Sequence, residues 1–246
     1  MNPEITTGIF LLLLFSVAFL YSSVGHGGAS GYLALMGIYH FTPDVMKPSA
    51  LMLNIVVSLI AFIQYSRTTS VNKKLVLLLI IGSVPAAFIG AGIKLDVLIY
   101  KKVLGVLLLF PILRLLGFFG KEVSVLKNPN PYLAVAIGIT IGFISGVIGI
   151  GGGILLSPIL LFLGWAYIKQ TAVISSLFIF LNSISGMIGL VSKGISIDTT
   201  IYLWIAIAVA GGLAGSYYGA RKFNSTVLKK VLALVLVIAS FKLIAG

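Results

Sequence analysis

Cysteine is absent from the 246 residues, which excludes disulfides, thiolate nucleophiles and thiolate metal sites. Charge is scarce as well: 9% of residues are charged and 59% are hydrophobic, too little polar surface to wrap a soluble fold of this length. Acids are scarcest, and Glu4, Asp44, Asp96, Glu122 and Asp198 all stand at or beyond the ends of apolar runs. A cationic substrate would lack a buried counter-charge, and coupling through a buried carboxylate is disfavoured. Histidine occurs only at His26 and His40, too few for a metal site without cysteine or a buried acid. No metal or cofactor is expected.

What the chain has in abundance is apolar length. Eight runs are long enough, or nearly so, to span a bilayer: Gly8–Val24, Pro48–Ser66, Leu75–Ile93, Val103–Phe119, Tyr132–Ile150, Thr171–Val191, Thr199–Gly219 and Val231–Ala245. The last is short and is expected to borrow Leu228 and the stems of Lys229 and Lys230 by snorkelling. The class is an all-α polytopic membrane protein, a single transport domain with the lipid bilayer as its main partner. The net charge of +12 is scattered through the connections, Lys47, Lys94, Lys101, Lys102, Lys121, Lys193 and Lys222 among them. That pattern marks topology and headgroup attraction, not nucleic-acid binding. The first run has Glu4 and no basic residue before it, so it is expected to be a retained span and not a signal peptide. Pro48 is expected at the first position of its helix, Pro85 and Pro111 are expected to kink theirs, and Arg114 is expected to snorkel.

Two glycine clusters interrupt this pattern. Gly25-His26-Gly27-Gly28-Ala29-Ser30 follows the first run, and Gly149-Ile150-Gly151-Gly152-Gly153 follows the fifth. Each leads into a short apolar run, Tyr32–Phe41 or Ile154–Leu163. Ten helical residues reach about 15 Å, roughly half the hydrocarbon core, so each cluster reads as a helix broken inside the membrane. Lipid cannot satisfy the backbone groups freed there, so protein or a polar cavity must surround them.

The clusters align with each other, and the alignment continues from Asn54 to Asn182 and from Lys101-Lys102 to Lys229-Lys230. Residues 5–120 and 130–246 thus read as two repeats of about four spans, each with one broken, half-length helix. Such a pair points to a transporter site at the repeat interface. If the short runs are re-entrant, connection charges lean toward both termini outside; if they cross fully, the halves are inverted.

Helix starts at the breaks aim free N–H groups at a bound anion. The candidate binding residues are Gly25, His26, Gly27, Gly28 and Ser30 in the first break, with Gly149, Gly151, Gly152, Gly153 and Ser157 in the second. Asn54, Ser58, Thr171, Ser175 and Asn182 on the following runs offer hydroxyls and amides to oxyanion oxygens. Close helix packing competes as an account of the glycines, above all Gly211-Gly212-Leu213-Ala214-Gly215, and interhelical hydrogen bonding competes for the polar residues. His26 could donate to an anion or exchange a proton, or rest on a neighbouring carbonyl.

At Gly142-Phe143-Ile144-Ser145-Gly146-Val147-Ile148-Gly149-Ile150-Gly151-Gly152-Gly153, leading into Ser157-Pro158, and at Thr171, Ser175-Ser176 and Asn182-Ser183, the chain resembles the TauE/SafE sulfite-exporter family, also called the toluene-sulfonate uptake permeases. The resemblance covers nearly the whole chain but does not extend to His26. It implies a multi-pass carrier in a prokaryotic cytoplasmic membrane that moves sulfite, sulfonates or similar small anions and catalyses no reaction. An anion channel using the same cavity is the first alternative. The second is an intramembrane serine hydrolase at Ser30, whose Gly28-Ala29-Ser30-Gly31 setting echoes rhomboid proteases but lacks a later histidine. A homodimer is compatible with the sequence.

Overall fold

The computed structural model describes residues 3–115, 117, 125–195, 199–221 and 226–245. They form helices α1 (Pro3–Ser22), α2 (Ala29–Ile38), α3 (Pro43–Ser66), α4 (Lys73–Ala91), α5 (Val97–Leu107), α6 (Leu109–Leu115), α7 (Pro131–Ile148), α8 (Gly153–Phe162), α9 (Ile168–Val191), α10 (Ile201–Arg221) and α11 (Thr226–Ala245). Five of these, α3, α4, α7, α9 and most of α10, are long and apolar enough to cross a membrane, and α2 and α8 have ten residues each. Lys121, Glu122, Asp198 and Lys222 lie outside the described residues, as do the side chains of Arg114, Leu228, Lys229 and Lys230.

Several helices start earlier than their apolar runs, because capping chemistry and not hydropathy sets the first turn. Asn72, Asp96 and Asn130 accept backbone N–H bonds at the starts of α4, α5 and α7. The start of α5 at Val97 therefore draws Lys101 and Lys102 into a helix and not a connection. In α3 the proline at the first position is Pro43, with Asp44 in the first turn, so Pro48 lies inside the helix and Lys47 with it. Pro111 has the expected effect in a sharper form. It cannot donate to the Leu107 carbonyl, and the helix breaks between α5 and α6 at Leu108. At twenty residues α11 has the length to cross, and it takes in Leu228, Lys229 and Lys230, the residues that the fifteen-residue run was expected to borrow.

Contacts at the helix ends fix the directions. At the first face, the Phe10 ring meets Tyr39, Phe41 and Trp204 with centroids 5.2, 5.7 and 4.9 Å away. Lys242 there donates to the Ile38 carbonyl, and Gly92 lies against Lys193. At the second face, Tyr65 reaches Ser23, Gln170 reaches Ser70, and Lys127 N–H donates to Gly164. Helix α1 therefore runs from the first face to the second, and residues 23–28 with α2 carry the chain back. From the second face α7 runs to the first, and residues 149–152 with α8 return. The short runs complete crossings together with their breaks, and the described ends of the chain share the first face.

Glycine allows two of the closest helix contacts. Along α7, methyl groups at Gly138, Gly142 and Gly146 would strike the carbonyls of Leu79, Ser83 and Ala87 on α4. Along α10, methyls at Gly211, Gly215 and Gly219 would strike those of Phe15, Phe19 and Ser23 on α1. Both pairs advance together in sequence, so each is parallel. A small residue every four lets the backbones approach this far.

Candidate functional site

Each break is shaped by left-handed glycine. Gly28, at φ 99°, caps α2 and Gly152, at φ 76°, caps α8, a conformation that other residues adopt only at a cost. Protein satisfies the carbonyls left at the preceding helix ends. The Tyr65 hydroxyl donates to Ser23 O and the Tyr100 hydroxyl to Ile148 O, both at 2.7 Å.

The two breaks meet. A methyl group at Gly27 would touch Asn54 Oδ1 and the Ile179 side chain; one at Gly151 would lie 2.5 Å from Asn54 Nδ2, 2.9 Å from Ile179 and 3.2 Å from Ser183 Oγ. Asn54 is fully buried near the midpoint of α3. Ala29 N–H, at the start of α2, donates to its Oδ1 at 3.0 Å, which fixes the amide orientation and leaves Nδ2 as a donor without a partner among the described residues. The amides of Gly27, Gly28, Ile150, Gly151 and Gly152 likewise make no hydrogen bond to described residues. Ser145, Ser183 and Thr171 hydroxyls are buried and unpaired in the same sense. The centre is packed closely, with Asn54, Ser145, Ser175, Asn182 and Ser183 all fully buried.

His26 links the halves. Its Nδ1 lies 3.0 Å from Val24 O and its Nε2 3.0 Å from Ser157 Oγ, which is 2.7 Å from Ser175 Oγ and also donates to Gly153 O. The remaining candidates divide. Ser58 donates to Asn54 O on its own helix, and Ser30 pairs with the Tyr21 hydroxyl at 2.6 Å. Asn182 spends its donor on Phe178 O and is left with an unpaired acceptor. Gly25 meets Ala172, Gly149 meets Lys47, Gly152 meets Phe178 and Ile141, and Gly153 meets Ile179 and Ser175 O. The structure thus gathers Gly27, Gly151, Asn54 and the chain His26–Ser157–Ser175, while Ser30 and Ser58 bond locally.

Ser145 and Ser183 lie within the motifs that carry the family resemblance but were not among the candidate binding residues, and Ile179 looks like any core residue. Lys47 is 7% exposed, and the signal that places it is Pro43-Asp44 as a helix start four residues earlier. Among the described side chains no carboxylate is buried.

A family model described as "Sulfite exporter TauE/SafE" matches residues 10–243. The "Probable membrane transporter protein y4hK" of Sinorhizobium fredii is 31% identical over 237 residues, covering 95% of this chain and 96% of that one. Two Bacillus subtilis proteins are also similar. The "Probable membrane transporter protein YjnA" is 27% identical, covering 97% of this chain and 100% of its own, and YunE, of the same description, is 26% identical, covering 82% and 81%. No solved structure matches.

Proposed function

The chain is a membrane transporter belonging to the TauE/SafE sulfite exporter family, and from that premise we propose that it carries sulfite or an organosulfonate through a centre where its broken helices meet. The observation that carries this reading is the convergence of Gly27 and Gly151 on the single buried amide of Asn54. Donors dominate there: Asn54 Nδ2, the hydroxyls of Ser145 and Ser183, and the backbone amides of both breaks. A sulfite or sulfonate group brings three acceptor oxygens and a negative charge, which matches donors and the positive ends of α2 and α8. A cation would find no buried carboxylate among the described side chains.

Close packing at the centre favours a carrier over an open anion channel. Alternating access follows naturally if residues 5–120 and 130–246 are inverted repeats, since helix α1 opposes α7 in direction as α3 opposes α9. The two halves would then exchange roles around Asn54.

Flux into proteoliposomes tests this, with sulfite and benzenesulfonate compared with acetate and chloride. We expect saturable uptake of the sulfur anions, accelerated by the same anion inside. Asn54→Asp keeps an acceptor for Ala29 N–H but replaces the free donor with negative charge, so flux should fall at least about tenfold while the protein inserts normally. Unchanged flux in that variant would sink the assignment.

A further inference from the structure

The fold buries one ammonium group among its described side chains, and it lies away from the meeting point of Gly27 and Gly151. At the first face a cleft of about 250 Å³ opens between the start of α3, the ends of α4, α7 and α9, and the start of α5. Its ionisable lining comprises Asp44, Lys47, Lys94, Tyr100 and Lys193, three cations to one carboxylate. Lys94 and Lys193 stand at the rim, while Lys47 forms the floor at 7% exposure.

Lys47 is held unusually for a buried cation. Its Nζ donates to the backbone carbonyl of Ala91 at 2.9 Å, not to a carboxylate. An ammonium group has three donors, and a charge withdrawn from water inside a membrane protein calls for a charged partner or an ion path. The stem of the same side chain lies against Gly149, so the floor of the cleft abuts the second break, and Val147 of α7 lines the wall. Tyr100, also in the lining, ties the Ile148 carbonyl at the edge of that break. In the sequence alignment of the halves, Lys47 falls on Ser175, so the cation belongs to one mouth only.

We infer that this cleft is an anion-recruiting site on the first face: Lys94 and Lys193 draw a small oxyanion in, and Lys47 exchanges the Ala91 carbonyl for one of its oxygens beside the second break. The volume corresponds to about eight waters of liquid, enough for a sulfite or small sulfonate group with part of its hydration shell. The inference rests on the anion-carrier reading for its purpose but not for its geometry, and the test separates the two.

Because the chain has no cysteine, Val97→Cys, in the cleft lining and 49% exposed, provides a single thiol. The full-length protein in lipid nanodiscs would be treated with an anionic and a cationic methanethiosulfonate reagent of similar size, with free cysteine as the rate reference. The anionic reagent should react about tenfold faster relative to the cationic one, the focusing expected of a cationic cleft. That preference should fall several-fold on adding Lys47→Gln, be kept by Lys47→Arg, and fall partly with Lys94→Gln. Benzenesulfonate should slow the labelling of the Lys47 protein and not of the Gln variant. Equal rates for the two reagents, or a preference indifferent to Lys47→Gln, would overturn the inference even if sulfite flux is present. Charge-selective labelling without any sulfite or benzenesulfonate flux would leave the cleft assigned and defeat the carrier reading instead.

Discussion

At the scale of single residues, counting hydrogens around His26 shows how its charge state would propagate. Val24 O can only accept, so Nδ1 carries a hydrogen and the second ring nitrogen decides the rest. With a neutral ring, Nε2 accepts from Ser157, and Ser175 can donate to Ser157 in turn. With a charged ring, Nε2 donates, and the Ser157 hydrogen turns to Gly153 O at 2.9 Å. The hydroxyls facing the imidazole come from α8 and α9, so a proton on the first break reorients groups in the second half. A cationic ring also favours an anion nearby. Benzenesulfonate flux, whose substrate charge is constant, should depend on pH in the wild type, rising on acidification, and lose that dependence in His26→Gln. An identical profile in both proteins would assign His26 a purely structural role. His26 was legible in the sequence because titratable groups are rare in apolar runs, and Asn54 because it aligns with Asn182. Lys47 was not, since a lysine next to a proline at the edge of an apolar run reads as a connection until the helix start at Pro43 is recognised.

At the scale of elements, two groups of glycines stand apart that hydropathy alone does not separate. One makes the breaks; the other makes the parallel pairs α1 with α10 and α4 with α7. The expectation that Gly211 and Gly215 serve packing agrees with their contacts, since methyls there would strike Phe15 O and Phe19 O, while Gly212 faces Val57. Gly142 and Gly146 belong to the same class, although they lie within the motif that carries the family resemblance. Substitution at such a site forces two backbones apart, so Gly215→Val should destabilise the folded protein by about 1–3 kcal/mol. Gly8 is the contrast: a methyl there meets nothing within 4 Å, so Gly8→Ala should be neutral or stabilise by up to about 1 kcal/mol. Thermal unfolding in detergent, followed by the loss of monodisperse protein, measures both. Equal stability of Gly215→Val and wild type would mean that α1 and α10 are not in close contact. The short helices were legible as ten-residue runs, although α2 starts three residues before Tyr32; their direction stayed open, because a half-length run has the same composition whether it turns back or completes a crossing.

At the scale of the molecule, direction decides orientation. With the short runs completing crossings, Arg67, Lys73, Lys74, Lys127, Lys169 and Arg221 stand at the second face, and Lys229 and Lys230 fall in the first turns of α11 leading from it. The first face holds Lys47, Lys94, Lys101, Lys102, Lys193 and Lys242, of which Lys47 is buried and Lys242 donates to Ile38 O. Among the described side chains, Arg67, Lys73, Lys74, Lys127 and Lys169 are exposed at the second face against Lys94, Lys102 and Lys193 at the first, so the positive-inside tendency predicts a cytoplasmic second face. The described chain ends then face outward, the side that the re-entrant scheme also favoured from a different distribution of the same lysines. Single thiols decide it in whole cells. Ser192→Cys, exposed after α9, should be modified by a membrane-impermeant maleimide added outside; Ser70→Cys, exposed between α3 and α4, should react only after permeabilisation. The reverse pattern would place the lysine-floored cleft on the cytoplasmic side, and the recruited anion would then be an intracellular one, as export requires. Orientation thus sets the direction in which the cleft serves transport, because the only buried cation among the described side chains stands at one mouth and not the other.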